Sequence, residues 1–331
     1  MTTALKPRLA LTLGDPAGIG GELVARQLAD PASSELAEIF LISDEAELAQ
    51  AQEDAGVTFA WSRTPGEGLP VLVDNAAARP EQPFERRKAT EAGGTWAMAN
   101  LRKALELAQA GEVDAIVFAP LNKSSLHLAG MTENDEMHWF ETVLADGSTA
   151  TELNVLPELV TARVTSHVSL AEVSRNVTFD LVVERGLLLE EVLKGRGIAA
   201  PRIGVCALNP HAGESGKFGR EEIDIIAPAV EELAKRGVDV AGPFPSDTIF
   251  LHARDGKFDG ILTMYHDQGQ IAVKLLGFDR GVTMAGGLSV PATTPAHGTA
   301  FDLVGERKAG LGAYENAFRT AAGVGARRRN A

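Results

Sequence analysis

Arg8-Leu9-Ala10-Leu11-Thr12-Leu13 is a short apolar run, and Gly14-Asp15-Pro16-Ala17-Gly18-Ile19-Gly20-Gly21 breaks it at once. The run has the length of a buried strand, the glycine-rich segment reads as a tight loop, and a helix follows from about Glu22. Such a loop lets backbone approach a ligand closely, and the helix start behind it favours anions. Its spacing is not the G-x-G-x-x-G dinucleotide fingerprint, and a plain strand-to-helix turn accounts for it equally well.

The same rhythm recurs along the chain. Ile39–Ile42, Val71–Val73, Asp114–Phe118, Leu159–Val164, Arg202–Leu208 and Gly260–Met264 read as strands. Glu45–Ala55, a long segment from about Ala89 to Ala110, and Glu221–Arg236 read as helices. In the long one, Met98, Leu101, Leu105 and Ala108 form an apolar stripe. Pro228 should kink the last helix or start it afresh. Thr64–Pro70 reads as a surface loop, and no internal repeat is visible. Strands alternating with helices argue an α/β protein with a mainly parallel sheet.

Composition narrows the function classes. The chain has 331 residues, 45% of them hydrophobic, enough for a sizeable core. Its 45 acidic against 31 basic residues leave a net charge of −14, which disfavours nucleic acid as a partner. The one basic cluster, Arg327–Arg329, reads as a frayed, solvated tail. No apolar run approaches the roughly 20 residues of a membrane span, and the N-terminus lacks a secretory pattern. The single cysteine, Cys206, excludes a disulfide framework and a cysteine zinc site, and fits a cytoplasmic protein.

Three of the seven histidines follow strand ends: His167 after Val164, His211 after Leu208 and His266 after Met264. Ligands of open α/β sheets bind beyond the carboxyl ends of strands, so these imidazoles can gather on one rim and hold a divalent metal. Each one alone is better read as a loop histidine bonded to backbone. Asp247 and Asp267 can orient such ligands, although Asp247 is also placed to cap a helix. Lys123 follows another strand end and Lys274 lies eight positions after His266; either can hold an anion or simply be solvated. His297-Gly298-Thr299-Ala300-Phe301-Asp302 is a compact polar turn, able to grip a nucleotide but also an ordinary surface turn.

Six segments in order carry a resemblance: Gly14–Gly20, Pro120-Leu121-Asn122-Lys123, Asn209-Pro210-His211-Ala212-Gly213-Glu214, Gly242-Pro243-Phe244-Pro245-Ser246-Asp247-Thr248, Tyr265-His266-Asp267-Gln268-Gly269 and His297-Gly298-Thr299-Ala300. Together they resemble the 4-hydroxythreonine-4-phosphate dehydrogenases of vitamin B6 synthesis, over about residues 8 to 305. The resemblance implies two α/β domains around a cleft, as in the isocitrate and isopropylmalate dehydrogenases. It suggests residues 1–125 with 265–331 as the cofactor-side domain and 126–264 as the metal and dimerisation side. It further implies a homodimer whose metal site is completed across the subunit interface. His167, His211 and His266 would hold zinc, magnesium, manganese or cobalt. Lys123, Asp247 and Asp267 are the candidate catalytic groups, and Gly14, His297, Gly298, Thr299 and Asp302 the candidate contacts to NAD or NADP. The implied reaction oxidises a hydroxyl β to a carboxylate, and the keto acid then loses carbon dioxide.

The substrate positions depart from the family pattern. Where the family has Gly-His-Thr-Glu, an ungapped alignment from Gly130 places Asp135-Glu136-Met137-His138. Thr283 stands for the usual asparagine and Ala292 for the usual arginine, while Lys274 is retained. His138 itself, with His127 and His252, reads as a surface or core histidine. Glu136, Met137, Lys274, Thr283 and Ala292 are therefore the candidate substrate positions, and the departures point to a hydroxy acid other than the phosphorylated one. A terephthalate-type dihydrodiol carboxylate dehydrogenase, a metal-dependent lyase without nucleotide, and a binding protein without catalysis are the competing readings.

Overall fold

The computed structural model describes residues 5–66, 68–277 and 280–330. Of the loop expected at Thr64–Pro70, Glu67 lies outside the described residues. The chain divides into two units, residues 1–150 with 287–331, and residues 151–286. These limits fall later than the expected 125 and 265. α6 packs on α4 of the first unit, and α11 packs on β6 and β9 of the second (ranges below).

The first unit contains β1 (Arg8–Thr12), α1 (Gly20–Leu28), α2 (Ala32–Leu36), β2 (Glu38–Ser43), α3 (Glu45–Ala55), β3 (Val71–Asp74), α4 (Glu91–Gln109), β4 (Ala115–Phe118), α5 (Lys123–Leu128) and α6 (Glu136–Leu144). The second contains β5 (Thr151–Val155), β6 (Val160–Arg163), α7 (Leu170–Asn176), α8 (Phe179–Gly195), β7 (Arg202–Cys206), α9 (Ala227–Lys235), β8 (Asp239–Phe244), α10 (Ser246–Arg254), β9 (Gly260–Thr263), α11 (His266–Gly277) and β10 (Val282–Gly286). β11 (Ala292–Pro295) and α12 (Gly312–Arg329) complete the first unit.

In the first unit the strands run parallel in the order β3-β2-β1-β4-β11. β4 and all of β1 after Arg8 are buried, as parallel strands covered on both faces must be. The helices start where the sequence supplies caps. Asp44 accepts a hydrogen bond from the Glu47 N–H at 2.8 Å at the head of α3, and Thr90 accepts one from the Gly93 N–H at 3.0 Å at the head of α4. Trp96, Tyr314, Phe140 and Phe318 are the largest fully buried side chains.

The arginines Arg327–Arg329 are not a frayed tail. They form the last turn of α12, where positive charge favours the helix dipole. Arg329 reaches Asp114 at 3.4 Å, and Asp114 also holds Arg8 at 2.8 Å.

In the second unit the order is β10-β5-β6-β9-β7-β8. β6, β9, β7 and β8 are parallel, and β5 runs antiparallel to both β6 and β10. Gly242-Pro243 lies inside β8 and its peptide bond is cis. β8 is the edge strand of this unit's sheet, where a residue without an N–H is tolerated. Pro228 acts as its type predicts: a π-type turn over Glu222–Ile226 precedes α9, and the proline occupies the helix's first turn.

Candidate active site: strand-end rims

The carboxyl ends of β6, β9, β7 and β8 follow one another along one edge of the second unit's sheet. The residues just past them are His167, His266, His211 and Asp247, in that order. β6 and β9 are stitched beyond the strands themselves. Val164 N–H donates to Thr263 O at 2.8 Å, and Thr165 donates through both its N–H and its hydroxyl to Met264 O. The His167 and His266 rings consequently stand 5.7 Å apart between centroids, tilted by 40°. His266 is the first residue of α11, and its Nδ1 lies 2.6 Å from Asp267 Oδ1. Asp267 thus makes a direct hydrogen-bond contact with the ring it follows. Asp247 is an exposed residue in the first turn of α10, and that helix has no side-chain cap.

Gln268 was not singled out by sequence, yet it joins three strand ends. Its buried amide accepts the Met264 N–H at 2.7 Å after β9, and donates to Ala207 O at 2.8 Å after β7 and to Ser246 Oγ at 2.7 Å after β8. Beneath α11 the sheet presents a polar face. Arg163, buried at 4% exposure, pairs with Glu152, and Gln270 bonds both Glu152 and Asn154. The outward side of α11 carries the exposed apolar residues Ile271 and Leu275 beside the exposed Asp267 and Lys274.

His211 lies in an unusual segment. From His211 to Ser215 every residue has positive φ, between 43° and 76°, so the chain makes a left-handed spiral. Four of the five carry a Cβ, which costs about 1–2 kcal/mol for each residue held this way. Such strain persists only where the surroundings over-determine it. His211 is exposed on this spiral. Among the described residues, no three His, Cys, Asp or Glu side chains converge closely enough to hold a metal ion. The structure thus brings His167 and His266 together and sets His211 on the neighbouring strand end.

A second rim lies in the first unit, at the ends of the adjacent strands β1, β4 and β11. Past β1 comes the glycine-rich loop, past β4 comes Lys123, and past β11 comes the turn 297–302. The Asp15 N–H donates to Pro120 O at 3.0 Å, and the Ile19 N–H donates to Thr299 O at 3.1 Å. Gly14 is buried at φ +76°, and a Cβ there would lie 2.5 Å from Pro120 O. Packing of loop on loop accounts for this glycine without a bound nucleotide. Thr299 is buried against Gly18, whereas Gly298 and Asp302 are exposed, and His297 Nδ1 lies 3.1 Å from Gly298 O. Burial raises the pKa of the Asp15 carboxyl, which accepts the Ala17 N–H at 2.9 Å.

The candidate substrate positions, with Lys123, lie on elements of both units. Lys123 opens α5 and Lys274 lies on α11, both exposed. Glu136 opens α6, and Thr283 is half-buried in β10. Met137 and Ala292 are buried, Ala292 completely so within β11. At the turn where the alignment placed Glu136 and Met137, the exposed polar ring is that of His138. Its Nδ1 lies 2.7 Å from the buried Asp135 that caps α6.

Dehydrogenases are among the solved structures that superpose on the chain. A 4-hydroxythreonine-4-phosphate dehydrogenase from Klebsiella pneumoniae matches with a TM-score of 0.80 and 32% identity, covering 98% of this chain and 99% of that one. A terephthalate 1,2-cis-dihydrodiol dehydrogenase from Burkholderia xenovorans matches at 0.73 and 28%, covering 96% and 98%. A β-decarboxylating dehydrogenase from Thermococcus kodakarensis, at 0.50 and 14% over 93% and 80%, shares the fold alone. The family model for "Pyridoxal phosphate biosynthetic protein PdxA" matches residues 32–321, and the chain belongs to the PdxA family. A Pseudomonas aeruginosa relative named "Putative 4-hydroxythreonine-4-phosphate dehydrogenase 2" is 51% identical over 96% of this chain and 97% of its own. The D-threonate 4-phosphate dehydrogenase of Cupriavidus necator is 37% identical over 97% and 98%.

Proposed function

We propose that this chain is a divalent-metal- and NAD(P)-dependent dehydrogenase that oxidises a hydroxyl β to a carboxylate, with loss of carbon dioxide from the product. The observation that carries the reading is the row of His167, His266 and His211 on three adjacent parallel strand ends. Neutral imidazoles at such ends are the donors that zinc, cobalt and similar ions take. The bound cation would supply Lewis acidity, and NAD or NADP the hydride acceptor. His167, His266 and His211 would be its ligands, the set being completed only across a subunit interface, and Asp267 would orient the His266 ring. Lys123 and Asp247 are the groups proposed to hold and move the hydroxyl proton. The unit of residues 1–150 and 287–331 takes the nucleotide at His297, Gly298, Thr299 and Asp302. The 151–286 unit carries the metal side and the subunit contact.

A homodimer is part of this reading. The groove between α10 and α11, about 570 Å³, is lined by Phe250, Leu251, Ile271, Leu275 and Leu276. An apolar helix face over a polar sheet face is the reverse of what a free monomer needs, and a second copy would cover it.

The substrate is proposed to be a hydroxy acid without a terminal phosphate, or one whose phosphate is held differently from the family pattern. A phosphate dianion wants charge-assisted donors. Of Glu136, Met137, Lys274, Thr283 and Ala292, Lys274 is the one cation, and Met137 and Ala292 are buried. The test is a panel of hydroxy acids assayed with NAD and with NADP by nicotinamide absorbance. Turnover of a non-phosphorylated acid supports the reading. Turnover confined to 4-hydroxythreonine 4-phosphate or D-threonate 4-phosphate overturns the substrate assignment, and no reduction of nicotinamide with any acid overturns the dehydrogenase.

A further inference from the structure

We propose that Glu222 is a positioning residue for His211, setting the strand-end loop from which that imidazole reaches the metal; this rests on the metal reading above. Glu222 lies thirteen positions beyond Asn209 at the start of the π-type turn, and is buried at 3% exposure. Its Oε1 accepts two backbone donors, the Leu208 N–H at 2.8 Å and the Asn209 N–H at 2.7 Å. Its Oε2 accepts the Asn209 side-chain amide at 3.0 Å. The same amide donates to Glu221 at 2.7 Å, and Glu221 in turn accepts the Ser174 hydroxyl. The carboxylate therefore grips the chain just where β7 ends and the left-handed spiral begins.

The spiral is built around this group. A Cβ on Gly213 would lie 2.7 Å from Glu222 Oε2, so the middle of the spiral wraps directly over the carboxylate. The spiral's own closing bonds, Lys217 N–H to Glu214 O at 3.3 Å and Phe218 N–H to Gly213 O at 3.1 Å, are at its far end. At the near end, where His211 sits, the fixed points are the N–H groups that Glu222 accepts. Arg220, two positions before Glu222, is engaged by Asp224. A carboxylate bonded to N–H donors rather than to a cation adds negative charge close to the strand end, which favours a divalent ion there.

The experiment uses full-length protein and Co²⁺ alone, with affinity read by chelator competition and by the cobalt absorption band. Glu222→Gln keeps the size, removes the charge and turns one of the two acceptor oxygens into an NH2 donor. It should weaken Co²⁺ binding about 10- to 100-fold, the range for partners that orient a metal ligand, while the metal-free melting temperature stays close to that of the parent. His211→Ala should also weaken binding, and adding E222Q to it should cost little more, because both act through one ligand. If E222Q does not fold, Asn209→Ala removes one of the donors that Glu222 accepts and should give a smaller loss of the same kind. Full Co²⁺ affinity in the folded E222Q or N209A protein, with H211A impaired, overturns the role of Glu222. Fully additive losses in the double variant overturn it too. An H211A protein with undiminished affinity overturns the metal reading beneath it.

Discussion

The imidazoles of His167 and His266, ninety-nine positions apart in the chain, stand 5.7 Å apart because β6 and β9 are parallel neighbours whose ends are tied through Thr165 and Met264. Alanine at either histidine should abolish turnover and weaken metal binding by more than about 100-fold, beyond the effect of an orienting partner. Circular dichroism should remain that of the parent. Titration with Co²⁺ checks the first expectation, and an unchanged isotherm refutes the shared site.

Gly14 and Gly298, both on the rim of the first unit, should behave oppositely. Gly14→Ala forces a Cβ into positive φ and against the Pro120 carbonyl, so a loss of several kcal/mol in urea unfolding is expected, above the roughly 1–2 kcal/mol of the backbone alone. Gly298 is exposed and a Cβ there meets nothing within 4 Å. Gly298→Ala should leave stability unchanged within about 0.5 kcal/mol but raise KM for the nicotinamide nucleotide. An unchanged KM argues that the nucleotide does not approach this turn.

Much of this arrangement was legible from sequence. β1, β4, β7 and β9 are short apolar runs because both of their faces are covered, and the histidines stand out because they follow such runs. β5, β10 and β11 were not read: Thr-Glu-Leu-Asn-Val, Val-Thr-Met-Ala-Gly and Ala-Thr-Thr-Pro mix polar groups into strands. β5 carries Glu152 and Asn154 toward the buried pairs under α11, so its polarity belongs to the fold. Gln268 and Glu222 were hidden for a related reason. Amides and carboxylates in helical segments read as solvated, and only the coordinates show them turned inward onto backbone. The left-handed spiral has no sequence signal either, since Ala212 and Ser215 do not favour positive φ.

Glu47 should make stability depend on pH. Its carboxyl is buried, accepts the Ser43 hydroxyl and the Trp96 indole N–H, and is pushed by burial up to about 7. The raised value means the folded protein prefers the protonated acid. Its contribution is complete below the unfolded value near 4.5 and is lost as pH rises through about 7. The swing is on the order of 3 kcal/mol at most. Glu47→Gln should flatten the stability profile between pH 4.5 and 7; an equally steep profile in the variant would show that other groups set it.

Charge on the outer face of α11 should disperse the assembly. Leu275 is 82% exposed and Ile271 61%. Leu275→Glu is expected to leave the chain folded and shift its sedimentation from dimer to monomer, with turnover falling in step. A parent protein that sediments as a monomer at assay concentration refutes the proposed subunit contact.

The first unit is begun before the second and finished after it. Its sheet is short of β11 and its core of α12 until the chain beyond residue 287 has left the ribosome, whereas residues 151–286 are one uninterrupted length. Synthesis runs from the N-terminus, so the contiguous unit has all its strands available first while the earlier segment waits with one side of β4 unpaired. An unpaired strand edge is a template for pairing with other chains. Nascent chains that end after residue 286 but before β11 would therefore be the vulnerable products, able to complete the later unit but not the earlier one.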